Sequence, residues 1–437
     1  MGNHNLVSAS VAMLVAQIIM VASNFILVSL LGRFLDMERL GLWLIIASLI
    51  PVMGNLDFGL GQAFRNKLCS IVASGSSNDN KMDAQNLFYS VFWILMLISS
   101  IGIVIIPFVI QDISWVTIFN IHNAELKNNI NSLLFIILIS MFISLPFSLH
   151  SVALLAYQDI YLRCIFETVH VVLLLLLVYV LLFLKINFTS VAVSYYLVMT
   201  IFVCIRTVIF CKINGWFFSP PSLNREIVTV NSLMNKGLRF WFIGLASSVI
   251  LSVGPVITGK VLGLSEAGEF SMVQKIVILL LSVQSTMLVP LWSAYTQAAC
   301  KDDWQWISKT FYKSLGITIA FFLGTGIFLV LAHPIIFKVW IGKEITNIPL
   351  VLSQSIWIVL YGCYCCNTML LNSLGYINQQ SIIVTLSGLA IVPISLYLGN
   401  RYGMVGISLG YIIITLPLLI TSTVTVNSIL RNRSSIL

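Results

Sequence analysis

Long apolar runs recur along the whole chain, each broken by a short polar stretch. The runs cover roughly residues 8–31, 40–63, 87–110, 131–156, 164–184, 188–211, 237–258, 268–298, 311–332, 350–374, 380–399 and 404–430. About twenty apolar residues in a helix cross a bilayer core of about 30 Å, so each run reads as one spanning helix. No ten-residue segments of alternating polarity occur, which argues against a membrane barrel. The pattern predicts an all-α polytopic membrane protein of about twelve transmembrane helices. Proline within the spans (Pro51, Pro146, Pro255, Pro290, Pro393, Pro417) predicts kinks that neighbouring helices satisfy.

One polar break has an echo. Gly32-Arg33-Phe34-Leu35-Asp36-Met37-Glu38-Arg39-Leu40-Gly41-Leu42-Trp43 aligns without a gap on Gly259-Lys260-Val261-Leu262-Gly263-Leu264-Ser265-Glu266-Ala267-Gly268-Glu269-Phe270, at an offset of 227. Internal similarity at such an offset points to a duplicated module. The Lys212 to Asn235 connection, with Pro220-Pro221, divides the repeats. The expected organisation is therefore a six-helix bundle over 1–211, a cytoplasmic linker over 212–235 and a second six-helix bundle over 236–437. Six helices per half is an even number, so both repeats enter the membrane in the same direction, as parallel repeats do.

Composition narrows this further. Charged residues make up 9% of the chain and hydrophobic ones 59%, against about 25% charged in a soluble domain, so a water-facing surface is out of reach. The first apolar run is too long for a signal-peptide core and lacks a cationic start, so it is expected to be a retained helix. With the N-terminus inside, 14 of the 23 lysines and arginines fall on the inner side, 8 on the outer side, and Lys275 lies within a span. That bias places both termini in the cytoplasm. None of the eight cysteines falls in an outer segment, so no disulfide framework is expected, and Cys363-Tyr364-Cys365-Cys366 lacks the neighbouring ligands a zinc site needs. The histidines are scattered, and there is no glycine-rich phosphate loop, which excludes ATP drive by that motif. No cofactor or metal is expected, and a net charge of +8 without a soluble domain does not suggest nucleic acid.

Ionisable groups inside spans cost about 2.5–3.5 kcal/mol on insertion scales, so each needs a reason. Lys275 is the foremost. Helical spacing puts Ser271, Ser282, Ser285, Thr286, Ser293 and Thr296 near its face, an arrangement suited to an anionic group in a hydrated cavity. The alternative is a lysine that snorkels to the interface beside Glu266 or Glu269. Gln17 and Asn24 lie two turns apart on the first span, as cavity lining or as bonds between helices. Arg206 and Arg239, near the inner ends of their helices, are phosphate-binding candidates, although topology alone also favours cations there. Asp57 and Arg65 share a face near the inner end of the second span, next to Gly59 and Gly61, and form either an inner gate or a static pair. Glu167 and His170 are spaced to respond to protons, unless Glu167 simply pairs with Arg163. At the outer mouth, Arg33, Asp36, Glu38 and Arg39 are expected to exchange charge pairs with Lys260, Glu266 and Glu269, forming an outer gate.

The segment Leu56-Asp57-Phe58-Gly59-Leu60-Gly61-Gln62-Ala63-Phe64-Arg65-Asn66-Lys67-Leu68, after the Leu40-Gly41-Leu42-Trp43 helix start, resembles bacterial flippases for O-antigen and related polysaccharide repeat units. Their superfamily also holds the multidrug and toxin extrusion transporters and the lipid II flippases. The motif covers about the first seventy residues, whereas length, helix count and repeat match over the whole chain. The resemblance implies twelve helices in two bundles around a central, often cationic cavity. It implies passage of a polyprenyl-pyrophosphate-linked oligosaccharide from the inner to the outer leaflet of the bacterial plasma membrane, alongside other polysaccharide-assembly membrane proteins. On that reading Lys275 would hold the pyrophosphate, while Ser, Thr, Asn and Gln meet the sugars. The first bundle has few deep cations, a departure from the most basic members. Two other classes stay open: an ion-coupled drug or metabolite exporter of the same fold, against which the lack of an acidic cluster in the N-terminal spans argues, and a membrane polysaccharide polymerase. The polymerase ranks last, because loops of roughly 20–25 residues hold no catalytic fold.

Overall fold

The structure is a computed structural model. It describes residues 3–73, 78–157, 159–216, 220 and 223–434, and the side chains of 3–14, 17, 73, 78, 160, 223–240, 293, 377–379 and 434 lie outside the description. Fourteen helices follow in order: α1 (Asn3–Phe34), α2 (Met37–Met53), α3 (Leu60–Ala73), α4 (Asn78–Asp112), α5 (Trp115–Ile118), α6 (Ala124–Phe147), α7 (Leu149–Ala156), α8 (Ile160–Phe183), α9 (Phe188–Ile213), α10 (Leu223–Val261), α11 (Leu264–Cys300), α12 (Trp304–Ile341), α13 (Ile348–Ser373) and α14 (Ile377–Ser434). Among the described residues there is no strand, and nine helices are long and apolar enough to cross a membrane. One of them, α14, has 58 residues and is broken at Gly403 (φ 61°, ψ −143°), so it supplies two crossings. With α1 and the α2–α3 pair, the helices account for the expected twelve.

The helix starts are local chemistry. Asn123, Asp159, Asn187, Asp303 and Asn347 each precede a helix and accept a backbone N–H from its first turn. The tight Lys185-Ile186-Asn187 connection works because Lys185 takes a left-handed φ of 56° and Asn187 then caps α9 through Ser190 N–H.

The second expected span, 40–63, is not one helix. It stops at Met53, makes turns through Leu56, and restarts at Leu60. Phe58 and Gly59 both take positive φ (52° and 77°), which no continuous helix accommodates. Pro51 and Gly54 just before the break weaken the helix there.

The chain divides into two compact units. Unit 1 is Met1–Leu35 with Ile50–Trp241, and unit 2 is Asp36–Leu49 with Phe242–Leu437. This differs from the sequence boundaries in two respects: the start of the second span packs with the later half of the chain, and unit 1 runs on through the 212–235 connection to Trp241. The reason for the first is steric. Gly41 and Gly268 are both buried, and the backbones of α2 and α11 touch where they cross.

Within unit 1, α1 packs on α8, and α4 and α9 pack on α6. An aromatic cluster of Phe64, Phe88, Phe92 and Phe210 is closed by Trp216, which the left-handed Gly215 (φ 65°) turns back against Phe88 at 5.2 Å and Phe210 at 5.3 Å. Within unit 2, α13 is the central helix, packed by α11, α12 and α14.

Candidate substrate site

Lys275 lies eleven residues into α11, about 16 Å from its start at 1.5 Å per residue, close to half a bilayer core. The side chain is half-buried, and among the described residues it has neither an ion pair nor a hydrogen bond. Neither Glu266 nor Glu269 pairs with it. An ammonium held this way stays available to an anion.

The hydroxyl stripe beside it has a definite polarity. Ser271 donates to Ala267 O, Ser282 to Leu279 O, Ser285 and Thr286 to Ser282 O, and Thr296 to Trp292 O. These protons are directed at carbonyls, that of Thr296 at Ser373 O as well; Ser271 is buried, whereas Ser285, Thr286 and Thr296 are exposed. The exposed hydroxyl oxygens can accept hydrogen bonds, and the Lys275 ammonium carries a positive charge and donors.

Behind Lys275 the helix is held by a buried amide. Gln274 Nε2 donates to Leu251 O (3.2 Å) and to the Tyr411 hydroxyl (3.1 Å), which also accepts from Gly254 N (2.8 Å). Further along, Gln354 donates to Ser408 (3.0 Å), Trp357 Nε1 to Thr415 (3.0 Å), and Asn367 to Ser422 (3.0 Å) and Thr423 (2.8 Å). Ser408, Thr415 and Ser422 are seven apart, so they form one seam of a helix packed at a 3.5-residue period. Sequence reasoning missed this ladder, although the heptad of hydroxyls is its visible signal.

The other candidates separate. Asn24 is exposed and donates to Met20 O of its own helix (3.0 Å). Gln17 and Arg239 fall among the side chains outside the description. Asp57 caps the broken helix: Gly59 N–H donates to Oδ1 and Gly61 N–H to Oδ2, each at 2.9 Å. A Cβ on Gly61 would meet that oxygen at 2.7 Å, so a side chain there would displace the Asp57 carboxylate from its cap. Arg65 is exposed, and no ion pair joins it to Asp57. Asp57 borders a cavity of about 130 Å³ inside unit 1, with Ser144, Ser148 and Met199.

Glu167 pairs with Arg163 at 2.8 Å, the second of the two arrangements the sequence allowed. His170 lies stacked on Phe202 at 5.7 Å, and its Nε2 has no hydrogen-bond partner, nor has Nε of the nearby Arg206. His150 Nδ1 sits 2.7 Å from Phe147 O, which places its proton on that nitrogen. Between α1 and α2, Arg39 bonds Asp36 at 3.0 Å within its own turn. Lys260 is exposed and Glu269 half-buried, and Arg33 ends α1 in unit 1. The eight cysteines are free, and no His/Cys/Asp/Glu group among the described residues is arranged to hold a metal.

No protein-family model matches the chain. Among solved structures it is similar over 97% of its length, and 99% of the other chain, to an inward-facing multidrug resistance MATE family transporter of the MOP superfamily, with a TM-score of 0.77 and 13% identity. The chain has the fold of that transporter. The lipid II flippase MurJ in an inward closed conformation also superposes, with a TM-score of 0.66, 13% identity, and coverage of 96% of this chain and 87% of MurJ. By sequence, the chain is 25% identical over 186 residues to a Salmonella typhimurium protein described as "Putative O-antigen transporter". That match spans 42% of this chain and 43% of the relative.

Proposed function

We propose that the protein is a flippase. It moves a polyprenyl-pyrophosphate-linked oligosaccharide repeat unit, of O-antigen type, from the cytoplasmic to the periplasmic leaflet by alternating access. The observation that carries this is Lys275: an unpaired ammonium deep in a spanning helix, next to a stripe of hydroxyl oxygens. A pyrophosphate is the anion such a cation suits, and sugar hydroxyls are the donors such a stripe suits. The partial match to the Salmonella typhimurium relative supports the same reading. The protein then resides in the bacterial inner membrane with both termini cytoplasmic, and its lipid-linked substrate reaches it through the bilayer beside other polysaccharide-assembly proteins. Arg206 and Arg239 are secondary anion contacts, Gln17 and Asn24 are sugar contacts, and the Asp36–Arg39 loop with Lys260 and Glu269 forms the outer gate.

The test is deletion of the gene, followed by assay of lipid-linked repeat units. Units retained in the inner leaflet support the flippase. Completed units accumulating unpolymerised in the outer leaflet point to a polymerase and end the proposal. A second reading, a small-molecule exporter, draws on the likeness to a multidrug transporter. It requires drug sensitivity in the deletion strain with normal surface polysaccharide.

A further inference from the structure

Pro255 opens a gap in the hydrogen-bond ladder of α10. Proline has no N–H, so Leu251 O, one turn earlier, has no donor at the usual place in its own helix. A carbonyl freed in this way within a spanning helix has to be answered by a neighbour. The answer comes from α11, where Gln274 Nε2 donates to Leu251 O at 3.2 Å. That contact also fixes the orientation of the amide, because a carbonyl only accepts and the atom facing it must be the nitrogen. The same nitrogen donates to the Tyr411 hydroxyl of α14 at 3.1 Å, which accepts Gly254 N–H at 2.8 Å as well. A Cβ on Gly254 would stand 2.6 Å from that hydroxyl, so the glycine before the proline lets Tyr411 reach the backbone of α10. Tyr411 is fully buried, with the Trp357 ring edge-on to it at 4.8 Å.

One amide thus joins three helices at the point where α10 is weakest, and Lys275 is the next residue. It lies about 100° around α11 and about 1.5 Å along it. Any shift of Gln274 against Leu251 therefore turns or lifts Lys275 with it. Gln284, also buried on α11, offers the contrast. It donates to Gly362 O at 2.8 Å and to Thr318 at 3.3 Å, but Cys366 carries an N–H one turn after Gly362 within α13. Gln284 packs helix on helix. Of the two, Gln274 alone fills a gap.

We propose that Gln274 is a positioning residue for Lys275: its amide, seated in the gap left by Pro255, ties the setting of the Lys275 ammonium to the bend of α10. Helices bend most sharply at proline. A change of bend at Pro255 is then delivered to the cation through one side chain, and an anion drawn to Lys275 acts back on the bend through the same side chain. The second of these rests on the flippase reading, which gives Lys275 its anion; the link from Pro255 to Lys275 does not.

The experiment uses the full-length protein in proteoliposomes without substrate. Trace acetylation followed by mass spectrometry reads the reactivity of Lys275 against exposed Lys309, and thermal unfolding in detergent reads stability. Gln274→Met keeps the length of the side chain and removes the donor. Pro255→Ala returns an N–H to Leu251 O and leaves Gln274 in place. Each is expected to change the Lys275 to Lys309 ratio severalfold. Gln274→Met should lower the unfolding temperature of the parent, and lower it much less in Pro255→Ala, where Leu251 O has a donor again. Gln284→Met should be additive with Pro255→Ala. An unchanged ratio in either variant, additive losses for Gln274→Met and Pro255→Ala, or equal coupling for Gln284→Met overturns the proposal. Should Gln274→Met fail to fold, the ratio in Pro255→Ala alone decides. No readout here needs a substrate, so the outcome is separable from that of the flippase reading, which is decided by where lipid-linked units accumulate in the deletion strain.

Discussion

Gly41 and Gly268, at equivalent positions of the two sequence repeats, stand backbone to backbone where α2 crosses α11. A Cβ on Gly41 would lie 1.7 Å from Leu264 O and 3.1 Å from Gly268 N, and one on Gly268 would lie 3.2 Å from Met37 O. Small residues at such crossings let helices approach closely in a membrane. Gly41→Ala is therefore expected to force the helices apart, at a cost of about 1–3 kcal/mol typical of overpacking or more. Gly268→Ala should be milder, because 3.2 Å is relieved by a small shift. Thermal unfolding in detergent checks the order, and a Gly41→Ala protein as stable as the parent would exclude this crossing.

Lys275 sets stability against function. Removing an unpaired cation from a spanning helix relieves about 2.5–3.5 kcal/mol on insertion scales. Lys275→Met should raise the unfolding temperature and abolish surface polysaccharide in complementation, with Lys275→Arg retaining part of it. A Lys275→Met protein with normal polysaccharide removes the residue from the mechanism.

Asp57 acts on its own helix rather than on Arg65. Asp57→Ala should cost about 0.5–2 kcal/mol, as loss of a helix cap does. Arg65→Ala, at an exposed position, should stay within about 0.5 kcal/mol. A double-mutant cycle reads the difference, and a coupling above about 1 kcal/mol would restore the gate pair.

The amide ladder between α13 and α14 predicts graded losses. Interhelical hydrogen bonds in membranes average about 0.6 kcal/mol, so Trp357→Phe should cost little more than that. Asn367→Ala removes two bonds and a buried side chain and should cost more. Unfolding of both variants in mixed micelles tests the order.

The crossings were legible because bilayer thickness imposes a length on every apolar run, and the cap residues Asn123, Asp159, Asn187, Asp303 and Asn347 mark starts by local chemistry alone. The break at Phe58 was less legible: apolar length reads straight through it, and only the crowding of glycines around Asp57 hints at it. For Glu167 two partners were open, His170 and Arg163, whereas for Asp57 spacing pointed only to Arg65, as a gate or as a static pair. Spacing on a helix shows which groups share a face, whereas a nearby backbone N–H at Asp57, or Arg163 one turn from Glu167, decides the bond.

The assignment of Asp36–Leu49 to unit 2 also sets a timetable. Leu49 and Phe242 are 193 positions apart, so the α2 segment is synthesised long before the helix it crosses exists. At about 5–20 residues per second, Gly41 waits roughly 11–45 s for Gly268, 227 positions later. During that interval a glycine-faced helix end stands in the membrane without its counterpart. Unit 2 is thus completed last and cannot be produced whole from the second half of the chain, so two fragments split at the 212–235 connection would have to find each other before unit 2 could close.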